Sequence, residues 1–307
     1  MEDQIKVIID CDPGIDDAAA LAIALTNPKI DVQLITTVAG NVTVDKTTNN
    51  ALKLVHFFDA TVPVAIGAAT PLLKPFEDAA RIHGESGMPG YDFGDLYGTP
   101  IDKDAVTAMY DVLMASSEAI TLIPTGAYTN IALLLRLHPE VTPKIKRIVA
   151  MGGSITRGNM TSTAEFNVFT DPHAAEIMYN AGIPVTMIGL DITLKALITP
   201  STLAKLPELN EAGKMLRALI THYNDGGEEG VPMHDVNTIF YLLHPEAIET
   251  KPYWIDVVTE GPAIGTTVAD IRGAYHGGKT NVEVAIDIDA AAFNEFMLLE
   301  VSEMDKF

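Results

Sequence analysis

The chain has 307 residues, 48% hydrophobic and 20% charged, which is enough to bury a substantial core and too apolar for a disordered protein. Its formal charge of −21 excludes the basic surface with which a general nucleic-acid binder displaces counterions, so no nucleic-acid partner is expected. No stretch offers about 18 uninterrupted apolar residues, so no membrane span is expected. The acidic start Met1-Glu2-Asp3-Gln4 leads into an apolar run that ends at Asp10 and does not read as a secretory signal. The expectation is a cytoplasmic protein. With one cysteine, Cys11, no intrachain disulfide is possible.

Ile5, Val7, Ile8 and Ile9 form an apolar, β-branched run that predicts a buried strand. Pro13-Gly14 breaks it with a turn, and an alanine-rich helix pattern starts at Asp16-Asp17. Strand alternation puts Asp10 and Asp12 on one face and Cys11, read as a packed thiol, on the other. Asp16 and Asp17 fall where a helix N-terminus favours negative charge. Four carboxylates thus converge within a few residues. One helix terminus, worth ~1 kcal/mol per charge, does not hold four acids. Either Asp16 and Asp17 cap the helix while Asp10 and Asp12 bond nearby backbone, or a cation gathers them, and the density of charge favours the cation. An all-oxygen ligand set suits Ca²⁺ or Mg²⁺ rather than Zn²⁺. The spacing is not that of an EF-hand loop.

Further along, strands are expected at 32–38, 62–66, 119–123, 145–151 and 184–190. Helices are expected at 45–58, 104–114, 128–137 and 172–180. This alternation predicts one α/β domain over residues 1–307. Its central sheet would be open, mostly parallel and Rossmann-like, with helices on both faces. Ligands in such sheets bind beyond the carboxyl ends of the strands. The unusual polar clusters lie there: Asp10 to Asp17, Gly40-Asn41, Thr125-Gly126 and Gly152-Gly153-Ser154. Residues 67–99, rich in Gly and Pro, are too long for a connector and read as a functional loop or lid. Residues 199–244 read as mostly helical, interrupted at 224–232. Strands follow at 254–258 and 282–286, then a helix from 290 to about 303.

His234-Asp235 follows the stretch Gly226-Gly227-Glu228-Glu229-Gly230 and opens an apolar helical pattern. An aspartate there can be an ordinary cap, but beside an oxygen-ligand site Asp235 becomes a distant ligand. His234, titrating near neutral pH, is suited to proton donation. If Glu165-Phe166-Asn167 is extended, Glu165 and Asn167 share a face and can bracket a polyhydroxylated ligand.

Asp10-Cys11-Asp12-Pro13-Gly14-Ile15-Asp16-Asp17 resembles the N-terminal signature of the inosine-uridine-preferring nucleoside hydrolases. Asn159…Glu165-Phe166-Asn167 is similar to a second motif of that family. The resemblance implies hydrolysis of the N-glycosidic bond of ribonucleosides to ribose and free base. It implies Ca²⁺ held by Asp12, Asp17, the Thr125 backbone carbonyl and Asp235, with Asp12 also the general base and Asp10 supporting the site from behind. Asp16, Asn41, Asn159, Glu165 and Asn167 would hold the ribose. His83 and Tyr223 would lie beside the base, and His234 would protonate it. A homodimer or homotetramer and nucleoside salvage are also implied.

A histidine donor, and a single tryptophan (Trp254) far from these motifs, suit a broad or pyrimidine-accepting enzyme acting on uridine, inosine or cytidine. Val236 stands where close family members commonly have proline, which clouds the local helix entry. Two rivals share features. A haloacid-dehalogenase-type phosphatase also begins with a strand and Asp-x-Asp, but Pro13-Gly14 and Asp16-Asp17 count against it. A non-catalytic calcium-dependent nucleoside-binding protein would not need Asp12 and His234.

Overall fold

β-branched runs form the centre of the molecule. In the computed structural model, which describes residues 4–95, 98–223 and 225–304, eight strands share one sheet. They are β1 (Ile5–Cys11), β2 (Ile30–Thr37), β3 (Val64–Ile66), β4 (Ile120–Pro124), β5 (Ile145–Met151), β6 (Val185–Ile188), β7 (Ile248–Tyr253) and β8 (Val282–Ile288). Their spatial order is β3-β2-β1-β4-β5-β6-β8-β7. All neighbours are parallel except β8 and the edge strand β7. Met1-Glu2-Asp3, two residues of the 67–99 loop and Asn224 at the head of the 224–232 interruption lie outside the described residues.

The sheet is covered on both faces, which is why its inner strands read as near-continuous apolar runs. Val7, Ile9 and Cys11 of β1 pack into one core with the helix Ile15–Thr26, whereas Ile8 packs into the other with the helices Ala105–Ala115 and Thr129–Leu137. Ile15–Thr26 is buried along almost its whole length. Its run of alanines lets the helices Glu211–Ile220 and Val236–Leu243 approach closely.

The chain winds outward from β1 to β2 and β3, then returns to the opposite side of β1 with β4. At such a reversal the loops leave in opposite directions and a crevice opens beyond the carboxyl ends. Asp10 lies there, opposite Thr36 of β2 and Pro124 of β4.

Several local expectations differ from the structure. Residues 165–167 are not extended: the Glu165 carboxylate accepts the Asn167 and Val168 N–H groups and starts a helix at Phe166–Thr170. The stretch at 254–258 forms no part of the main sheet; Ile255–Val257 pairs with Thr267–Ala269 as an antiparallel ribbon. β7, with Glu249, Thr250, Lys251 and Pro252 in its sequence, was not among the expected strands. At an edge, one side of the strand faces solvent and proline is tolerated. The 67–99 segment contains a short helix, Ala80–His83. Leu197–Ile198, just before the 199–244 segment, pairs with Val231–Pro232 inside it. Among the described residues no helix is long and apolar enough to cross a membrane.

Candidate active site

Five aspartates, Asp10, Asp12, Asp16, Asp17 and Asp235, are between 0% and 4% exposed. The end of β1 and the first turn of Ile15–Thr26 supply four of them. Asp17 Oδ2 accepts Gly14 N (3.0 Å) and Asn41 Nδ2 (3.1 Å), and Oδ1 accepts the Thr125 hydroxyl (2.9 Å). Asp12 Oδ2 accepts Asn41 N at 2.7 Å. Asp10 sits behind them, with Oδ1 accepting Thr36 Oγ1 (2.6 Å) and Asn130 Nδ2 (2.8 Å). Asp235 enters from the head of Val236–Leu243. It occupies the cap position without a side-chain capping bond, so its carboxylate is available to the cluster. Val236 begins that helix fully buried.

One oxygen from each of Asp16, Asp17 and Asp235 lies within 4.8 Å of the others. This compact trio contains Asp16 where the resemblance implied Asp12 as a ligand. Burial, then Asp17, raises Asp12 well above the usual carboxylate range. Burial, then Asp16, Asp17 and Asp12, does the same to Asp235. Asp16 is raised to about 6 by burial and Asp17, and Asp10 to about 7 by burial, opposed by Thr36 and Asn130. Asp12 Oδ1 and Asp16 Oδ1 have no hydrogen-bond partner. Carboxylates this crowded collect protons unless a cation replaces them, and an oxygen-only donor set suits a hard divalent ion. The residues present therefore fit a metal.

A cavity of about 90 Å³ opens over the cluster. Asp12, Asp16, Asn41, His83, Thr125, Asn159, Glu165, Asn167, Tyr223, His234 and Asp235 all line it. The polar residues on one wall are tied to backbone. Glu165 accepts Gly153 N at 2.8 Å, Asn159 Oδ1 accepts Phe166 N at 2.9 Å, and Asn167 Nδ2 donates to Thr125 O at 2.6 Å. Asn41 Nδ2 donates to Asp12 O and to Asp17, so its amide serves the carboxylates while its residue lines the cavity. Such ties fix these side chains before any ligand arrives, which lowers the cost of binding.

The two histidines are shifted in opposite directions. His83 Nδ1 accepts Ile15 N at 3.1 Å. Burial, then His234, lowers His83 to about 3. Its 4.0 Å approach to Asp16 is therefore no ion pair, and a neutral ring that accepts at Nδ1 carries its proton on Nε2. The ring packs 4.9 Å from that of Tyr223, whose hydroxyl points to Asp16 Oδ2 at 3.4 Å. Burial alone would lower His234, but its hydrogen bond to Asp225, together with Asp16, outweighs burial and raises it.

Asp225 and Asn130 were not singled out from the sequence. Asp225 lies in the Gly- and Glu-rich interruption, where one more acid carries no signal. Asn130, at a helix start, reads as turn chemistry.

A buried acidic cluster under a wall of anchored amides, with two histidines at the same cavity whose basicities are shifted in opposite directions, suits acid-base bond cleavage. The chain belongs to the inosine-uridine preferring nucleoside hydrolase family, whose sequence model matches residues 7–295. Over 299 residues, 97% of either chain, it is 51% identical to the non-specific ribonucleoside hydrolase RihC of Salmonella agona (strain SL483). Among solved structures it is similar to the purine-preferring ribonucleoside hydrolase from Gardnerella vaginalis. The TM-score is 0.91 and the identity 32%, over 98% of this chain and 99% of that one. A plant nucleoside hydrolase, PpNRh1, gives a TM-score of 0.90 at 29% identity, over 97% and 99%.

Proposed function

We propose that the chain hydrolyses purine and pyrimidine ribonucleosides with Ca²⁺ at the acidic cluster. Family membership makes it a ribonucleoside hydrolase and sets aside the phosphatase alternative; the ion, the breadth towards bases and the residue roles go further. The observation that carries the ion and the base is Asp12, a residue of the cavity lining with one oxygen pinned by Asn41 N and the other buried and unpartnered.

Asp17, Asp235 and the Thr125 carbonyl, with Asp12 and Asp16, would hold the ion, and a divalent cation supplies charge that acidifies water and grips vicinal hydroxyls. Asp12 takes the proton of the attacking water. Asp16 and Asn167 orient the ribose hydroxyls, and Asn41, Asn159 and Glu165 complete the sugar pocket. As the glycosidic bond lengthens, positive charge grows on the ribosyl ring, and the buried carboxylates stabilise it. The base leaves as an anion unless protonated, and His234 gives it a proton, a contribution of about 10²–10⁴-fold. Neutral His83 and Tyr223 flank the base. A proton donor works on any base with an accepting nitrogen, which supports breadth, and the Salmonella relative is named non-specific.

The test is release of reducing sugar from uridine, cytidine, inosine and adenosine by the purified chain with calcium. Turnover of both base classes is expected. Binding of all four with turnover of none would favour a nucleoside-binding protein instead.

A further inference from the structure

His234 is held at both ring nitrogens, and the two holds face different surroundings. Nε2 meets Asp225 Oδ2 at 3.2 Å, and both residues line the cavity. Nδ1 meets Thr193 Oγ1 at 2.7 Å. Thr193 is completely buried and closes the short helix Leu190–Thr193 that follows β6. Its backbone N–H is bonded to Gly189 O at 3.2 Å, so the hydroxyl is carried by hydrogen-bonded backbone at the end of the sheet. Asp225, by contrast, has a side chain 37% exposed, and water competes for its carboxylate. The firm hold on the ring is therefore the inner one.

We propose that Thr193 is a positioning residue for the reaction: its hydroxyl pins His234 Nδ1 in the core and so aims Nε2 at the leaving base. This rests on His234 being the proton donor. A hydroxyl can accept from Nδ1–H or donate to a bare Nδ1, so the pin holds whichever form the ring takes. With Nδ1–H engaged, Nε2 is the nitrogen that gives up its proton, and it is the one at the cavity. Without the hydroxyl, the ring is free to turn and Nε2 loses its direction. A threonine that merely fills space in the core would have no such link to the chemistry.

The test compares the full chain with Thr193→Val, which keeps the shape and removes the hydroxyl, and with Thr193→Ser, which keeps the hydroxyl. His234→Ala is run in parallel. Substrates are inosine, uridine and p-nitrophenyl β-ribofuranoside, whose leaving group needs no proton, all with calcium present. Thr193→Val is expected to lower kcat on the two nucleosides about tenfold or more, with KM little changed and p-nitrophenyl riboside within about twofold of wild type. Thr193→Ser is expected to restore the nucleoside rates. Equal losses on all three substrates, or no loss, would overturn the proposal. If His234→Ala splits the substrates and Thr193→Val does not, the positioning role alone fails. If His234→Ala loses all three equally, the donor role fails with it. Should Thr193→Val not fold by circular dichroism, Thr193→Ala answers the same question without an added branch.

Discussion

Gly126 backs directly onto Asp12: a Cβ on the glycine would lie 2.7 Å from Asp12 Oδ1, the oxygen without a hydrogen-bond partner. Gly40 crowds the other oxygen, Oδ2, in the same way. Neither glycine has a positive φ, so both positions need glycine for the space it leaves. Gly126→Ala and Gly40→Ala should push the carboxylate aside. A displacement of about 1 Å costs on the order of 10²-fold in kcat, and steady-state kinetics beside a thermal melt would show whether activity falls further than stability. Wild-type turnover in both variants would mean that Asp12 need not stand where it does.

Asp12→Asn keeps the size of the side chain and the acceptor for Asn41 N but loses the base. Turnover should fall by about 10²–10⁴-fold, with an unchanged circular dichroism spectrum. A rate close to wild type would transfer the role to another group.

Exhaustive chelation should abolish hydrolysis and lower the melting temperature, and added calcium should restore both. An ion bound only by the folded chain stabilises it by about 2.7 kcal/mol at roughly 100 times its Kd. Differential scanning fluorimetry against calcium concentration measures this. A melting temperature and rate both indifferent to chelation would remove the ion.

Asp10 gives a pH signature. Its folded-state value of about 7 is above the roughly 4 of an unfolded aspartate. The native protein therefore keeps a proton that the unfolded chain has released. The stabilisation is complete below about pH 4 and is lost as pH rises through about 7. Asp16, at about 6, acts with the same sign. In calcium-free protein, Asp10→Asn, which still accepts from Thr36 and Asn130, should flatten the fall in melting temperature across that window. Identical slopes in the two proteins would show Asp10 ionised throughout.

The parts of the site legible in the sequence were those made locally. Asp10 to Asp17 span one strand, one turn and one helix start, and the alternation and dipole rules act within that span. The parallel sheet followed from apolar runs separated by amphipathic ones. His83 and Tyr223 carried no local signal, and only the resemblance implied them. Thr193 and Asp225 stayed hidden because their link to His234 is made by tertiary packing, which leaves no spacing to read. Residues 165–167 misled for a different reason: alternating polarity suits a strand, yet a glutamate beside free N–H groups caps a helix. β7 was missed because an edge strand can afford charge on its open side.

The reversal of strand order between β1 and β4 also bears on biogenesis. Asp17 leaves the ribosome long before Thr125, and Thr125 long before Asp235. A nascent chain therefore displays Asp10, Asp12, Asp16 and Asp17 before Thr125 and Asp235 can complete the cluster, and an ion at that cluster would not template the early stages of synthesis. Ion capture should come last, as a lock on a chain already folded, so refolding rates measured with and without calcium should agree while unfolding rates diverge.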